Sequence, residues 1–166
     1  GGDWGRDRLV PDLVRAIASG EPLHLRSPRA VRPWQHVLEA LSGYLLLAER
    51  LAGPDGTQFA DGWNFGPDDE DAREVGWIVE RMCSRWRIAT GETIEVTSDP
   101  HAGPHEANLL RLDATKARDG LAWRPRLDLG TAIDWIVDWT AAWRQGDDVR
   151  STTLRQIADY EALFDA

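Results

Sequence analysis

The sequence predicts an α/β domain that is mostly helical, with four short strands among six helices. Three observations predict it. Apolar residues recur at helical spacing in six stretches, the strand-like runs are three or four residues long, and no Gly-x-Gly-x-x-Gly or Gly-x-x-Gly-x-x-Gly turn follows any of them. So few and such short strands do not build the long parallel sheet of a complete α/β enzyme. The 166 residues suffice for one domain with a real core, and residues 1–166 read as a single unit.

Gly1-Gly2-Asp3-Trp4-Gly5 reads as a loop. Pro11 suits a first helical turn, and that helix runs to about Ser19 with Gly20 as its stop. Leu9, Leu13, Val14, Ile17 and Ala18 form its inward stripe. Leu23-His24-Leu25, ended by Ser27-Pro28, is the first strand candidate. The next helix spans Val37 to about Leu51. It is apolar at Val37, Leu38, Leu41, Tyr44, Leu45, Ala48 and Leu51, and Leu46 and Leu47 widen the face enough to predict burial on most sides. Gly53-Pro54-Asp55-Gly56 closes it.

Trp63-Asn64-Phe65 reads as a second strand. The acidic run Asp68 to Asp71 is expected to cap a helix reaching about Arg87, with Val75, Ile78, Val79, Met82 and Trp86 inward. Thr93 to Val96 and Leu109 to Leu112 are the remaining strands, separated by a turn-rich loop from Ser98 to Pro104. The last helices span Thr115 to Gly120, Asp128 to Arg144 and Thr153 to Phe164. The middle one of these carries Ile133, Ile136, Val137 and Thr140 on one side and Trp135, Trp139 and Trp143 on an adjacent stripe. Two apolar helical faces are left with nothing in the chain to cover them, so packing against another unit is expected.

Composition excludes several classes. A net charge of −9 argues against nucleic acid, whose binding is driven by basic side chains on phosphates. No run of 18 apolar residues exists to span a membrane, and no apolar leader opens the chain. A single cysteine excludes an internal disulfide and fits a reducing, cytoplasmic compartment; Cys83 lies at helical spacing from Val79, Met82 and Trp86, which makes it a packing residue. No cysteine/histidine cluster suits zinc. The charge is uneven, however. Residues 1–36 hold six arginines against four acids, a net +2, so the rest of the chain carries −11. A locally basic N-terminal segment on an acidic protein suits a small anion. Lys116 is the one lysine, and the arginine fork matches diphosphate geometry.

Arg32-Pro33-Trp34-Gln35-His36-Val37 concentrates this chemistry. An arginine, an indole and an imidazole stand just ahead of a helix, a rigid place to hold an anion. The plain alternative for Arg32 is a solvated loop arginine. Alternation puts Trp34 and His36 on one side, where either also suits a core.

This stretch, with the following Leu38-Glu39-Ala40-Leu41-Ser42-Gly43-Tyr44-Leu45-Leu46-Leu47-Ala48-Glu49 and the opening Gly1-Gly2-Asp3-Trp4-Gly5-Arg6-Asp7-Arg8-Leu9-Val10-Pro11-Asp12, resembles the CDP-glucose 4,6-dehydratases of the extended short-chain dehydrogenase/reductase family. The resemblance spans nearly all of the chain but reaches only the C-terminal half of that family's chain. It implies a substrate-binding part whose NAD-binding Rossmann half lies outside residues 1–166. The implied parent is a lyase that uses NAD to turn CDP-glucose into CDP-4-keto-6-deoxyglucose. This chain has no Tyr-x-x-x-Lys: Tyr44 and Tyr160 are its only tyrosines, and neither has a lysine four residues on. No cofactor is expected in this chain and no residue is assigned catalysis, so the isolated chain is expected to be inactive.

The resemblance also implies a nucleotide-sugar site. Arg8, before the Leu-Val-Pro helix, and Arg32 match arginines that contact a diphosphate; the plain alternative for Arg8 is a solvent-facing helix-start residue. His24 and Leu25 match the strand that lines the nucleobase pocket, and His36 lies near the site. Asn64 matches an asparagine near the diphosphate, although such an asparagine also caps turns. Glu106 matches an acid that binds ribose hydroxyls. Gly103 stands where related enzymes have arginine, which leaves His105 to substitute. Trp123, in Leu121-Ala122-Trp123-Arg124-Pro125, matches a structural Leu-Gly-Trp-x-Pro turn. Expected partners are a nucleotide diphosphate sugar and the missing half, with a homodimer also open. Two other functions stay open: the substrate domain of another nucleotide-sugar dehydratase or epimerase, and a helical interaction or dimerisation module without a ligand.

Overall fold

The computed structural model describes residues 4–5, 7–98 and 109–164. In chain order these form α1 (Leu9–Ser19), β1 (Leu23–Leu25), β2 (Val31–Pro33), α2 (Val37–Ala52), β3 (Ala72–Glu74), α3 (Val75–Thr90), β4 (Val96–Ser98), α4 (Thr115–Leu121), α5 (Leu129–Gln145) and α6 (Val149–Ala162), with 3-10 turns at Gly56–Phe59 and Asp69–Asp71. The mostly helical α/β class is as expected. The strands pair two by two. β1 runs parallel to β4, with Leu23 opposite Val96, and β2 runs antiparallel to β3, with Arg32 opposite Arg73.

The main core joins four elements. Leu13, Ala16 and Ile17 of α1, Leu23 and Leu25 of β1, Ile78, Val79, Met82 and Trp86 of α3, and Leu129, Ile133 and Val137 of α5 are buried together. The α3 and α5 faces are the ones that 3.6-residue spacing predicts. On α1, Leu13, Val14 and Ile17 are buried as expected, while Ala16 is buried in place of Ala18, which is exposed. Gly20 ends α1 at φ 72°, a left-handed turn that glycine adopts without steric cost, and its N–H reaches Ala16 O at 2.9 Å. Cys83 is half-buried against this core, and burial raises its thiol pKa, which fits the packing role.

A second cluster holds Phe65, Ala114, Ala117, Leu121 and Trp123. α2 lies on it. A Cβ at Gly43 would sit 2.3 Å from the Phe65 ring, so the helix comes this close only because it has a hydrogen there. Beside Gly43, Glu39 is 1% exposed. Its Oε1 accepts from the backbone N–H of Arg126 at 2.9 Å and of Leu127 at 2.7 Å, and its Oε2 accepts from the Tyr160 hydroxyl at 2.9 Å. Ser42 Oγ lies 3.0 Å from that hydroxyl and accepts from Trp123 Nε1 at 3.1 Å. Burial holds the Tyr160 phenol protonated, its pKa well above the usual value. The network ties α2 to the turn before α5 and to α6. Ala122 sits at φ 56°, in the left-handed region that favours glycine.

Several expectations are corrected. α2 is not buried on most sides: its inner face is Glu39 and Gly43, while Val37, Leu41, Tyr44, Leu45 and Leu51 are exposed, because no other element of the described chain covers them. Residues 63–65 form no ladder. Trp63 and Phe65 instead put their rings into the second cluster, and the Trp63 indole donates to Phe59 O at 2.9 Å. Pairing to β1 begins with Leu23 N–H on Glu95 O at 2.8 Å, so that strand lies at Val96–Ser98, later than expected. Of Leu109 to Leu112, only Leu109 bridges to a strand, at Val31, since β2 is three residues long and already paired to β3. The acidic run does not cap α3, because a 3-10 turn and β3 intervene and Glu74 occupies the N-cap without a side-chain bond.

Two outcomes are expected. Glu39→Ala leaves two backbone N–H groups and a phenol without their acceptor and should cost about 3 kcal/mol in urea unfolding, with Glu39→Gln costing clearly less; equal costs would contradict the network. His36, the N-cap of α2, accepts from Leu38 N–H through Nδ1, and burial lowers its pKa from 6.5 to about 4. Between those values the unfolded chain binds a proton that the folded chain does not. Stability is therefore complete above pH 6.5 and falls as pH drops toward 4, by about 3 kcal/mol over the window. His36→Asn keeps a capping acceptor and should flatten that dependence in denaturant titrations across pH.

Candidate functional site

β2 places Arg32 beside a hollow of about 250 Å³ between the start of α1, β1 and β2. His24 and Leu25 line the same hollow, as do Leu9, Trp34 and Arg26. The strand's alternation buries Leu23 and Leu25 in the main core and leaves His24 exposed, where Nδ1 lies 3.2 Å from Thr97 Oγ1 of β4. Arg32 is half-buried and its Nη1 donates to Val31 O at 2.9 Å. The Trp34 indole donates to Arg73 O at 2.9 Å, which fixes the ring against the β2–β3 ladder.

The charges in this hollow are mixed. Asp7 and Asp12 face it, and each is engaged by a guanidinium: Asp7 with Arg26 at 3.4 Å, and Asp12 with Arg15 three residues on. These pairs are solvent-exposed and contribute little stability. Across the ladder, Arg32 and Arg73 are direct partners, and two like charges at a cross-strand pair are mutually unfavourable. Arg73 turns over the Trp77 ring, 5.3 Å from its centroid. The hollow's own lining carries two acids, Asp7 and Asp12, and two arginines, Arg26 and Arg32.

The other residues singled out from the sequence fall as follows. Arg8 occupies the N-cap position of α1, exposed, one residue before Leu9. Asn64 is exposed and does not line the hollow; its Nδ2 donates to Asp113 O at 3.2 Å. It is linked to β2 through residues 109–113, since Leu110 N–H donates to Val31 O at 3.1 Å. His36 lies elsewhere. It is buried in a second hollow of about 320 Å³ with Trp135, whose ring meets it edge-on at 5.7 Å. Trp34 and His36 therefore face different hollows, because β2 ends at Pro33 and strand alternation does not extend to residue 36. His105 and Glu106 lie outside the described residues. The structure thus unites Arg32, His24 and Leu25, and adds Arg26, and Trp34 from the Arg32–Val37 stretch, neither of which was assigned to the site from the sequence. Trp123 is buried in the second cluster and serves packing.

Among the described residues no group of His, Cys, Asp and Glu is arranged to hold a metal ion, and no helix is long and apolar enough to cross a membrane.

No family model matches the chain. It is 44% identical over 160 residues to CDP-glucose 4,6-dehydratase of Salmonella typhimurium strain LT2, which covers 96% of this chain and 43% of the relative. It is 29% identical over 130 residues to dTDP-6-deoxy-L-talose 4-dehydrogenase (NAD(P)(+)) of Kitasatospora kifunensis, covering 78% of this chain and 37% of that protein. Among solved structures it superimposes on UDP-glucuronic acid 4-epimerase from Bacillus cereus in complex with NAD, with a TM-score of 0.63, 15% identity, and coverage of 86% of this chain and 40% of the other. Its fold is mostly helical and is shared with the matched part of that epimerase. The chain is similar to CDP-glucose 4,6-dehydratase, and it spans less than half the length of the curated relatives it matches.

Proposed function

We propose that this chain is the substrate-binding portion of a CDP-glucose 4,6-dehydratase and that the hollow beside Arg32 receives the cytidine diphosphate. The observation that carries this is the meeting of Arg32 of β2 with His24 and Leu25 of β1 in one hollow. The guanidinium offers paired charged hydrogen bonds to a diphosphate, each worth about 1.5–3 kcal/mol in a partly dry site. Leu25 and His24 offer an apolar floor and a polar edge to a base. Arg8, at the rim beside Leu9, is assigned to the same diphosphate. Asn64 joins it only through residues 109–113, and His105 and Glu106 complete the proposed ribose and phosphate contacts. His36 is assigned to supporting α2 and not to the nucleotide.

The chain has no tyrosine–lysine pair for proton transfer and no dinucleotide cradle. Hydride and proton transfer therefore belong to an NAD-binding portion that is not among these 166 residues. Alone, this chain recognises and does not turn over substrate. Another nucleotide sugar is the alternative substrate class, favoured by the weaker likeness to an enzyme named for a dTDP sugar.

Calorimetry with CDP, UDP and GDP tests the assignment. CDP should bind weakly, with a Kd of roughly 1 mM for half of a cleft, and more tightly than the other two. Arg32→Ala should weaken it by about 10- to 100-fold. Preference for UDP or GDP would move the assignment to another nucleotide sugar. Absence of heat with all three would overturn it in favour of an interaction module.

A further inference from the structure

The hollow beside Arg32 holds a second guanidinium, that of Arg26. Arg26 follows the last residue of β1, and its side chain is half exposed on the wall that His24 and Leu25 also line. Its partner there is Asp7, whose carboxylate lies 3.4 Å away and is itself 79% exposed. That separation exceeds the roughly 2.7–2.9 Å of a charged hydrogen bond, and so exposed a pair contributes little stability. Asp7 is also unusual in its backbone. It sits at φ 61°, in the left-handed region that residues with a Cβ enter at a cost, aspartate and asparagine least. Among the described residues its carboxylate caps nothing at the start of α1, where Arg8 is the N-cap. Arg15 fixes the loop that carries it. Arg15 donates to Trp4 O at 3.0 Å and to Gly5 O at 3.2 Å, and it pairs with Asp12. Asp12 is thereby matched by a cation that does not line the hollow, which leaves Asp7 as the anion that faces Arg26.

We infer that Arg26 is a second diphosphate-binding residue, and that the Asp7 carboxylate occupies its guanidinium until a phosphate displaces it. This deepens the reading of the hollow as the nucleotide site and rests on it. A diphosphate spreads its negative charge over two tetrahedral groups, and one planar guanidinium engages one of them with paired bonds. A second guanidinium on the same hollow of about 250 Å³ matches the second phosphate. Position agrees. Arg26 is adjacent to Leu25, so a base resting on β1 brings its phosphates toward the residue that follows the strand. The exchange makes and breaks no covalent bond. Carboxylate and phosphate oxygens accept from the same N–H groups, and the displaced Asp7 carboxylate is already in water. The Asp7–Arg26 contact keeps the guanidinium turned toward the hollow while it is empty, at the expense of some affinity. Strained backbone recurs at such ligand clamps, where it fixes a group in place.

Chemical-shift titration of the 166-residue chain with CDP tests this through a double-mutant cycle. Arg26→Gln should weaken CDP about tenfold. Asp7→Asn keeps a side chain that the left-handed turn tolerates and removes the competing charge, so it should tighten CDP about threefold. In the Arg26→Gln background, Asp7→Asn should have no effect. Should Arg26→Gln unfold the chain by circular dichroism, Arg26→Lys takes its place: it keeps the charge, loses the fork and should still weaken CDP. Unchanged affinity on replacing Arg26 would overturn the inference. So would a gain from Asp7→Asn that persists without Arg26, because Asp7 would then act through the general field of the surface. Arg32→Ala separates this failure from that of the nucleotide reading. If it weakens CDP while the Arg26 variants do not, Arg26 loses its role and the nucleotide site stands. If the unaltered chain binds no CDP, both fall.

Discussion

The carboxylate of Glu39 reaches donors 87, 88 and 121 residues further along the chain. It closes the space between α2, the turn before α5, and α6, and no apolar side chain could replace it without stranding two backbone N–H groups. This contact sets where α2 lies. Through α2 it sets where the preceding Arg32–His36 segment leaves β2, because His36 caps the helix and Gln35 Nε2 donates to Phe65 O at 2.8 Å. The position of the candidate guanidinium is therefore a consequence of a buried polar network some distance from it. The close approach of Gly43 to Phe65 serves the same end from the apolar side.

The helices were legible because each carries a period that only a helix satisfies. α3 and α5 bury the residues their spacing selects, and α1 and α3 end at glycines in the left-handed conformation. The strands were legible only in part. Leu23-His24-Leu25 announces itself by alternation, but Val31–Pro33 and Ala72–Glu74 are three residues long, largely polar or ended by proline, and carry no strand signal of their own. Trp63-Asn64-Phe65 looked like a strand because aromatic residues favour both sheets and clusters, and here the cluster prevailed. The apolar pattern of α2 pointed to burial on most sides, and in the described chain its outer face is exposed instead. The pattern did not reveal that Glu39 marks the inner side.

The site shows the same division. Arg32 was selectable from local sequence, His24 and Leu25 only through the family resemblance, and the parallel pairing of β1 with β4 and the ladder of β2 with β3 bring them to one hollow. His36 was drawn toward the site by proximity in sequence, yet the turn between Pro33 and Val37 carries it to the other side, against Trp135. The opposition of Arg32 and Arg73 could not be foreseen without the register of a strand pair that the pattern did not disclose.

The central claim is that this chain presents Arg32 and the β1 strand to a cytidine diphosphate. A crystal structure of the chain soaked with CDP tests it most directly. The account predicts the diphosphate within hydrogen-bonding distance of the Arg32 guanidinium and the base against Leu25 and His24. A nucleotide ordered instead in the hollow beside His36 and Trp135, or on the acidic surface around Asp68–Asp71, would contradict it.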